Sequence, residues 1–199
     1  EGNYIIKDDG TRAVSETTKN LGKVAPDWTM GISNTLRYRN LSLSFLIDVR
    51  YGGVMYSGTV SDLRVNGMAE ETIGKNRTDI VDKGVKQDGT ENTTAITPYQ
   101  FWSNNYSSKV SEANVFDATF VKLREMVLSY QMPQRWFKNC FIGSLALGVE
   151  GRNLWLMKSN VPHIDPETNI FGPSAVGSGV EYSAIPTTRS WGFNIKLTF

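Results

Sequence analysis

Residues with the means for chemistry are few in this sequence, and they stand apart. The one histidine, His163, sits in the stretch Val161-Pro-His-Ile-Asp-Pro-Glu167 beside two carboxylates, Asp165 and Glu167. A pair of carboxylates can hydrolyse a glycosidic bond when one acts as acid and the other as base or nucleophile. Pro166 between them and the loop setting favour a structural turn, and a lone loop histidine is more often solvated or hydrogen-bonded than catalytic. A glycan-processing enzyme using Asp165 and Glu167 would lose hydrolysis in Glu167→Gln, and none is expected. Asp8-Asp9-Gly10 reads as a turn, because the further spaced ligands of a calcium loop are missing. There is no glycine-rich phosphate loop and no cysteine–histidine metal set. Neither catalysis, nor a metal, nor a cofactor is therefore expected. The aromatic run Pro98-Tyr-Gln-Phe-Trp-Ser-Asn-Asn-Tyr106 offers Tyr99, Phe101, Trp102 and Tyr106, whose faces suit the C–H faces of sugar rings or each other.

The chain has 199 residues, with 21 Lys and Arg against 20 Asp and Glu. Balanced charge argues against a nucleic-acid partner. The single cysteine, Cys140, excludes a disulfide framework and reads as a packed thiol beside Phe141. No apolar run is long enough for a membrane-spanning helix, a test to which alternating barrel strands are blind. The sequence opens at Glu1 with no signal peptide, which reads as the C-terminal part of a longer chain.

Elements must come from periodicity, and the clearest is at the end. Trp191, Phe193, Ile195, Leu197 and Phe199 alternate with Ser190, Gly192, Asn194, Lys196 and Thr198. Period two over about ten residues is the length of a tilted strand crossing a bilayer. An ordinary half-buried strand is about half that. From Trp28 the same pattern runs to Tyr38 and again from Leu41 to Tyr51. A two-residue turn at Arg39-Asn40 sets Tyr38 opposite Leu41, Leu36 opposite Leu43, Ile32 opposite Ile47, Met30 opposite Val49 and Trp28 opposite Tyr51. Asn40 is the residue suited to the left-handed conformation of that turn. Trp28 and Tyr51 then mark one rim and Tyr38 the other. Asn34 falls on the apolar face and needs a partner or water there.

A further strand is expected over 117–132, closed by Pro133. Met126, Leu128, Tyr130 and Met132 share a face, but the same parity would put Lys122 and Arg124 with them, which lipid would not accept. Either the strand leaves the membrane before Glu125, or a β-bulge near Arg124-Glu125 shifts the parity so that Val121 and Leu123 face outwards. Strands are also expected at about 28–39, 41–51, 144–154 and 189–199. The stretches 52–115 and 156–188 read as long polar loops, the first with a short helix near Leu63–Thr72. Connections thus run short (39–40), long, short (133–143), long. Short turns on one side and long loops on the other are the arrangement of an outer-membrane barrel. The fold expected is all-β: antiparallel up-and-down transmembrane β-barrel strands, with two long extracellular loops.

Gly22-Lys-Val-Ala-Pro-Asp-Trp28, Tyr51-Gly-Gly-Val-Met-Tyr-Ser57, Phe120-Val-Lys-Leu-Arg-Glu-Met-Val-Leu-Ser-Tyr130, Gly151-Arg-Asn-Leu154 and Ile164-Asp-Pro-Glu167 occur in that order. Together they resemble the C-terminal portion of the SusC/RagA-type TonB-dependent outer-membrane transporters. The resemblance implies a 22-stranded barrel with an N-terminal plug, of which this chain supplies five or six strands. It implies import of oligosaccharides, or in some members peptides, driven by the TonB complex through an N-terminal part not in this sequence. It implies a SusD-like surface lipoprotein as a lid, outer-membrane lipid around the wall, and a final strand, Trp191 to Phe199, that serves as the assembly signal. Arg37, Asp48, Arg50, Glu150, Arg152, Asn194 and Lys196, with Thr29, Ser42 and Ser44, would face the lumen and suit salt bridges to a plug as well as contacts to a solute. Tyr99, Phe101, Trp102 and Tyr106 would touch sugar, touch the lid, or pack their own loop. The competing reading is a soluble carbohydrate-binding β-sandwich using the loop aromatics. It requires Trp191 and Phe45 to be buried between two sheets.

Overall fold

The computed structural model describes residues 3–75, 78–107, 109–138, 141–170 and 179–199. Cys140 lies outside them. The chain divides into two compact units, one of Ala25–Gly53, Ala118–Asn160 and Pro186–Phe199, the other of Glu1–Val24, Val54–Asp117 and Val161–Ile185.

The first unit is a five-stranded antiparallel sheet. Its strands are β1 (Trp28–Tyr38), β2 (Leu41–Tyr51), β3 (Phe120–Gln131), β4 (Ser144–Ser159) and β5 (Ser190–Thr198). Each lies beside its neighbours in sequence, the up-and-down order. The β1–β2 register is the one the alternation requires, from Tyr38↔Leu41 to Trp28↔Tyr51. The turn differs in one respect. Arg39, not Asn40, takes the left-handed conformation (φ 53°). Asn40 instead reaches sideways, its amide donating to the Gln131 carbonyl at 2.6 Å.

Pairing carries one face across the whole sheet. Leu36, Leu43, Leu128, Val149 and Phe193 form one row; Tyr38, Leu41, Tyr130, Leu147 and Ile195 form the next. Asn34 interrupts the row of Phe45, Met126 and Trp191, and its side chain is exposed there. Trp191 (61% exposed), Phe193 (86%) and Ile195 (68%) are open to the surroundings. A water-soluble domain rarely leaves so large a continuous apolar surface bare. Trp28 and Tyr51 stack at one end, their ring centroids 5.2 Å apart.

The third strand departs from its expected span of 117–132. Val115–Asp117 forms a separate short strand paired with Val54–Tyr56, and β3 begins at Phe120. The residues between act as ties: the Ala118 N–H donates to the Gly53 carbonyl at 2.9 Å, and the Thr119 hydroxyl accepts from the Gly52 N–H at 2.9 Å. The fourth strand runs on to Ser159, five residues past the expected end, because β3 continues beside it.

The second unit replaces much of the expected loops with folded structure. Val54–Ser57 pairs with Val115–Asp117 and with Val180–Glu181. Helix α1 spans Gly58–Val65, earlier than expected, because the Ser57 hydroxyl caps it by accepting from the Val60 N–H. It stops at Asn66-Gly67, where Gly67 takes φ 69°, and Glu70–Thr72 form only a 3₁₀ turn. Helix α2 spans Pro98–Asn105 where a loop was expected. Thr97 and Gln100 form its capping box and Pro98 opens its first turn.

The unit also holds a repeated hairpin. In Lys7-Asp-Asp-Gly-Thr11 and Lys86-Gln-Asp-Gly-Thr90 the Thr N–H and hydroxyl both donate to the Asp, at 2.9 and 2.7 Å in each copy. Gly10 and Gly89 take φ 83° and 84°. The two copies lie in parallel through Ile5↔Val85 and Ile6↔Lys86. The threonine hydrogen bonds hold the Asp9 and Asp88 carboxyls below their ordinary range.

Candidate functional site

Apart from Lys158, which pairs with Val121 near the end of β4, the charged side chains of the regular strands gather on the face opposite the apolar rows. Strand pairing lines up Arg37, Ser42, Ser129, Gly148 and Asn194, then Thr35, Ser44, Val127, Glu150 and Gly192. Ser33, Leu46, Glu125, Arg152 and Ser190 form a third row. Lys196 lies opposite Ala146 at the turn end, and Arg50 lies between Thr29 and Phe120 at the other end. The seven charged and polar residues named from sequence therefore share one face.

What brings that face together is a bulge. Between Glu125 and Leu123 the register of β3 shifts against both β2 and β4. Arg124 is the inserted residue. The shift returns Leu123 and Val121 to the apolar face, opposite Ile47 and Val49, and sends Lys122 to the polar face opposite Asp48. Of the two expected escapes for this strand, the bulge is the one adopted. Arg124 pairs with Asp48 and donates to the Asn153 side-chain oxygen at 3.3 Å. Asn153 sits in the matching irregularity of β4 with φ 51°, and its amide donates to the Thr188 carbonyl at 3.0 Å. Lys122, 3% exposed, donates to the Thr187 hydroxyl at 2.9 Å. Arg152 lies 3.9 Å from Glu125.

Glycines make room for the longer polar side chains. A Cβ on Gly148 would collide with the Asn194 side-chain oxygen, and one on Gly192 would meet Glu150 at 3.0 Å. On the apolar face Trp191 uses the same device, lying over Gly151. Sequence reasoning missed Arg124, Lys122 and Asn153 as members of the charged network. The signal was there, since Arg124 and Lys122 are the residues that break the strand's alternation.

The loop aromatics separate. Phe101 and Trp102 are core residues packed with Ile96, and their rings meet edge to face at 5.1 Å. Tyr106 lies 4.9 Å from the Trp102 ring. Arg12 lies 3.7 Å from the Tyr4 ring centroid and makes a two-pronged pair with Asp82 at 2.6 and 2.9 Å. Phe101, Trp102 and Tyr106 build the unit's interior. Tyr99, on the outer side of α2, is 69% exposed and is the member of the set open to a ligand or partner.

His163 lies 2.9 Å from Glu71, which also accepts from Arg64 at 2.6 Å. Burial raises the Glu71 carboxyl, but the hydrogen bonds from His163 and Arg64 outweigh it and lower it to about 2. The Asp165 carboxylate accepts the Glu167 N–H at 3.2 Å, which is a turn built on the chain's own backbone. Glu181, 1% exposed, accepts from the Ser57 and Thr59 hydroxyls at 2.6 Å each and fastens its segment to the start of α1. Among the described residues no group of three or more His, Cys, Asp or Glu has the geometry of a metal site.

No family model matches the chain. It is 25% identical over 196 residues to TonB-dependent receptor P3 of Formosa agariphila, which covers 96% of this chain and 18% of that protein. It is 26% identical over 182 residues to TonB-dependent receptor P26 of the same organism, covering 90% of this chain and 18% of that one. Among solved structures it resembles the RagAB peptide importer in the open-open state, with TM-score 0.63, 20% identity, and 98% of this chain against 20% of that one. The closed-closed state gives TM-score 0.62 and 19% identity over 98% of this chain and 21% of that one. The chain thus spans about a fifth of the length of these proteins.

Proposed function

We propose that this chain, a SusC/RagA-like portion of a TonB-dependent transporter of the outer membrane, is a sector of the wall through which a polar oligomer is imported. One observation carries the reading: a single sheet with oily side chains in register across one face and a charged, hydrogen-bonded network in register across the other. Lipid is the solvent for the first face and a hydrated lumen for the second. Arg37, Asp48, Arg50, Glu150, Arg152, Asn194 and Lys196 then line that lumen, where alternating charge can hold a plug by salt bridges and hydrate a passing solute. Trp191 to Phe199 is the segment that assembly would read.

The transported solute is taken to be an oligosaccharide, with a peptide as the second candidate. A SusD-like lipoprotein at the long-loop mouth and the TonB complex on the plug are the partners this reading requires. Tyr99 is the exposed aromatic available to the lid or to a sugar. The exposure of Trp191, Phe193 and Ile195 weighs against the soluble β-sandwich.

Uptake of labelled oligosaccharides and labelled peptides by cells carrying or lacking the complete gene tests the proposal. Gene-dependent uptake of one class, abolished by collapsing the proton gradient that powers TonB, is the expected result. Uptake of both classes that is indifferent to the gene would overturn it.

A further inference from the structure

We infer that Arg135 and Lys138, with Phe141 and Phe199 beside them, form a binding site for the phosphodiester headgroup of an anionic glycerophospholipid. The site rests on the membrane-wall reading of the sheet. Gln134–Trp136 form one 3₁₀ turn after Pro133, and Gln134 and Arg135 of that turn, with Phe137, Lys138, Phe141 and Phe199, line a cleft of about 580 Å³. Arg135 and Lys138 line it, both exposed, and neither is in an ion pair among the described residues. No Asp or Glu occurs between Glu125 and Glu150.

The surroundings are those of a bilayer boundary. Trp136 (63% exposed), Phe141 (77%) and Phe199 (78%) stand open, and the Phe141 and Phe199 rings stack with centroids 5.7 Å apart. Phe199 continues the alternation of Ile195 and Leu197, so the cleft adjoins the end of the apolar rows. Trp at the headgroup level and cations just beyond the hydrocarbon are the two features that hold a polypeptide to an anionic lipid surface. The Arg135 guanidinium can grip a phosphate through two N–H donors, and Lys138 adds a point charge beside it. The rings would pack on the glycerol and the first acyl carbons.

The test uses the complete transporter, extracted from membranes containing equal amounts of phosphatidylglycerol and phosphatidylethanolamine, with retained lipid counted by native mass spectrometry. The wild type should retain phosphatidylglycerol in preference. Arg135→Gln/Lys138→Gln should lower that preference roughly 25-fold, about fivefold for each cation removed. Arg135→Lys/Lys138→Arg should preserve most of it, and millimolar inorganic phosphate should not displace the lipid. A glutamine double variant that sits in the outer membrane and still prefers phosphatidylglycerol as the wild type does overturns the site alone. A wild-type transporter absent from the outer-membrane fraction overturns the wall reading and the site with it.

Discussion

Arg124 gains a carboxylate partner and an amide partner by leaving the strand's regular alternation, and the gain is worth keeping only while both partners remain. Arg124→Ala leaves Asp48 half-buried without its cation. For a pair about a third exposed this should cost roughly 1–2 kcal/mol, below the cost of breaking a fully buried pair. Asp48→Ala/Arg124→Ala should cost less than the two single variants added together, which a double-mutant cycle on denaturant unfolding of the complete transporter will read. Glu71 makes a prediction with a definite sign. Its carboxyl is held at about 2 in the folded chain against 4.5 ordinarily. A depressed folded value means the contribution is fully present above 4.5 and is lost as pH falls towards 2. Amide exchange in the segment holding His163 should therefore speed up over that window in the wild type. In Glu71→Gln the same window should show no such step.

Elements in this chain are set by their ends. Ser57 caps α1 and Thr97 with Gln100 caps α2, and both helices interrupt stretches whose composition reads as loop. The capping box was written in the sequence as Thr97-Pro98-Tyr99-Gln100, but with so short a helix no apolar periodicity announced it. Thr97→Ala should lower the stability of the α2 region by about 1 kcal/mol, and Thr97→Ser should restore it, as measured by local exchange of the α2 amides. The bulge at Arg124 is the element-scale decision with the largest consequence. Deleting Arg124 takes out only the inserted residue and leaves Leu123 opposite Ile47 and Lys122 opposite Asp48, whereas deleting Leu123 sets Arg124 or Lys122 opposite Ile47 on the apolar face. The complete transporter lacking Arg124 should still reach its heat-resistant folded form on gels, and the one lacking Leu123 should not. Equal assembly of the two deletion variants would contradict the bulge's role.

On the proposed reading, the whole molecule places one sheet between two solvents. Arginine placed at Leu43, in the middle of the apolar rows, should cost about 2–4 kcal/mol in a bilayer, whereas arginine at Ser44, its neighbour on the polar face, should be nearly neutral. Yields of assembled transporter in the outer membrane compare the two directly, and equal yields would count against a lipid-facing row. The rest of the described chain does not behave as loop. Phe101, Trp102 and Ile96 give the second unit an interior of its own, with Arg12 stacked on Tyr4 and paired to Asp82. Aromatic residues in a polar stretch are as consistent with a small private core as with a ligand platform, and only burial distinguishes them.

Sequence alone determined where the five long strands lie, the register of the first hairpin and the two-faced character of the sheet. Side chains of an extended backbone must alternate, so period two in the residues becomes two faces in space whatever the rest of the chain does. It also exposed the fault in the third strand, where Lys122 and Arg124 could not both stay in line. Which repair the strand would use, and that Asp48, Asn153 and Thr187 would meet those two cations, depended on residues up to 76 positions away being laid alongside. Only the tertiary structure brings such partners together, because cross-strand contacts are fixed by pairing between strands and not by spacing within one.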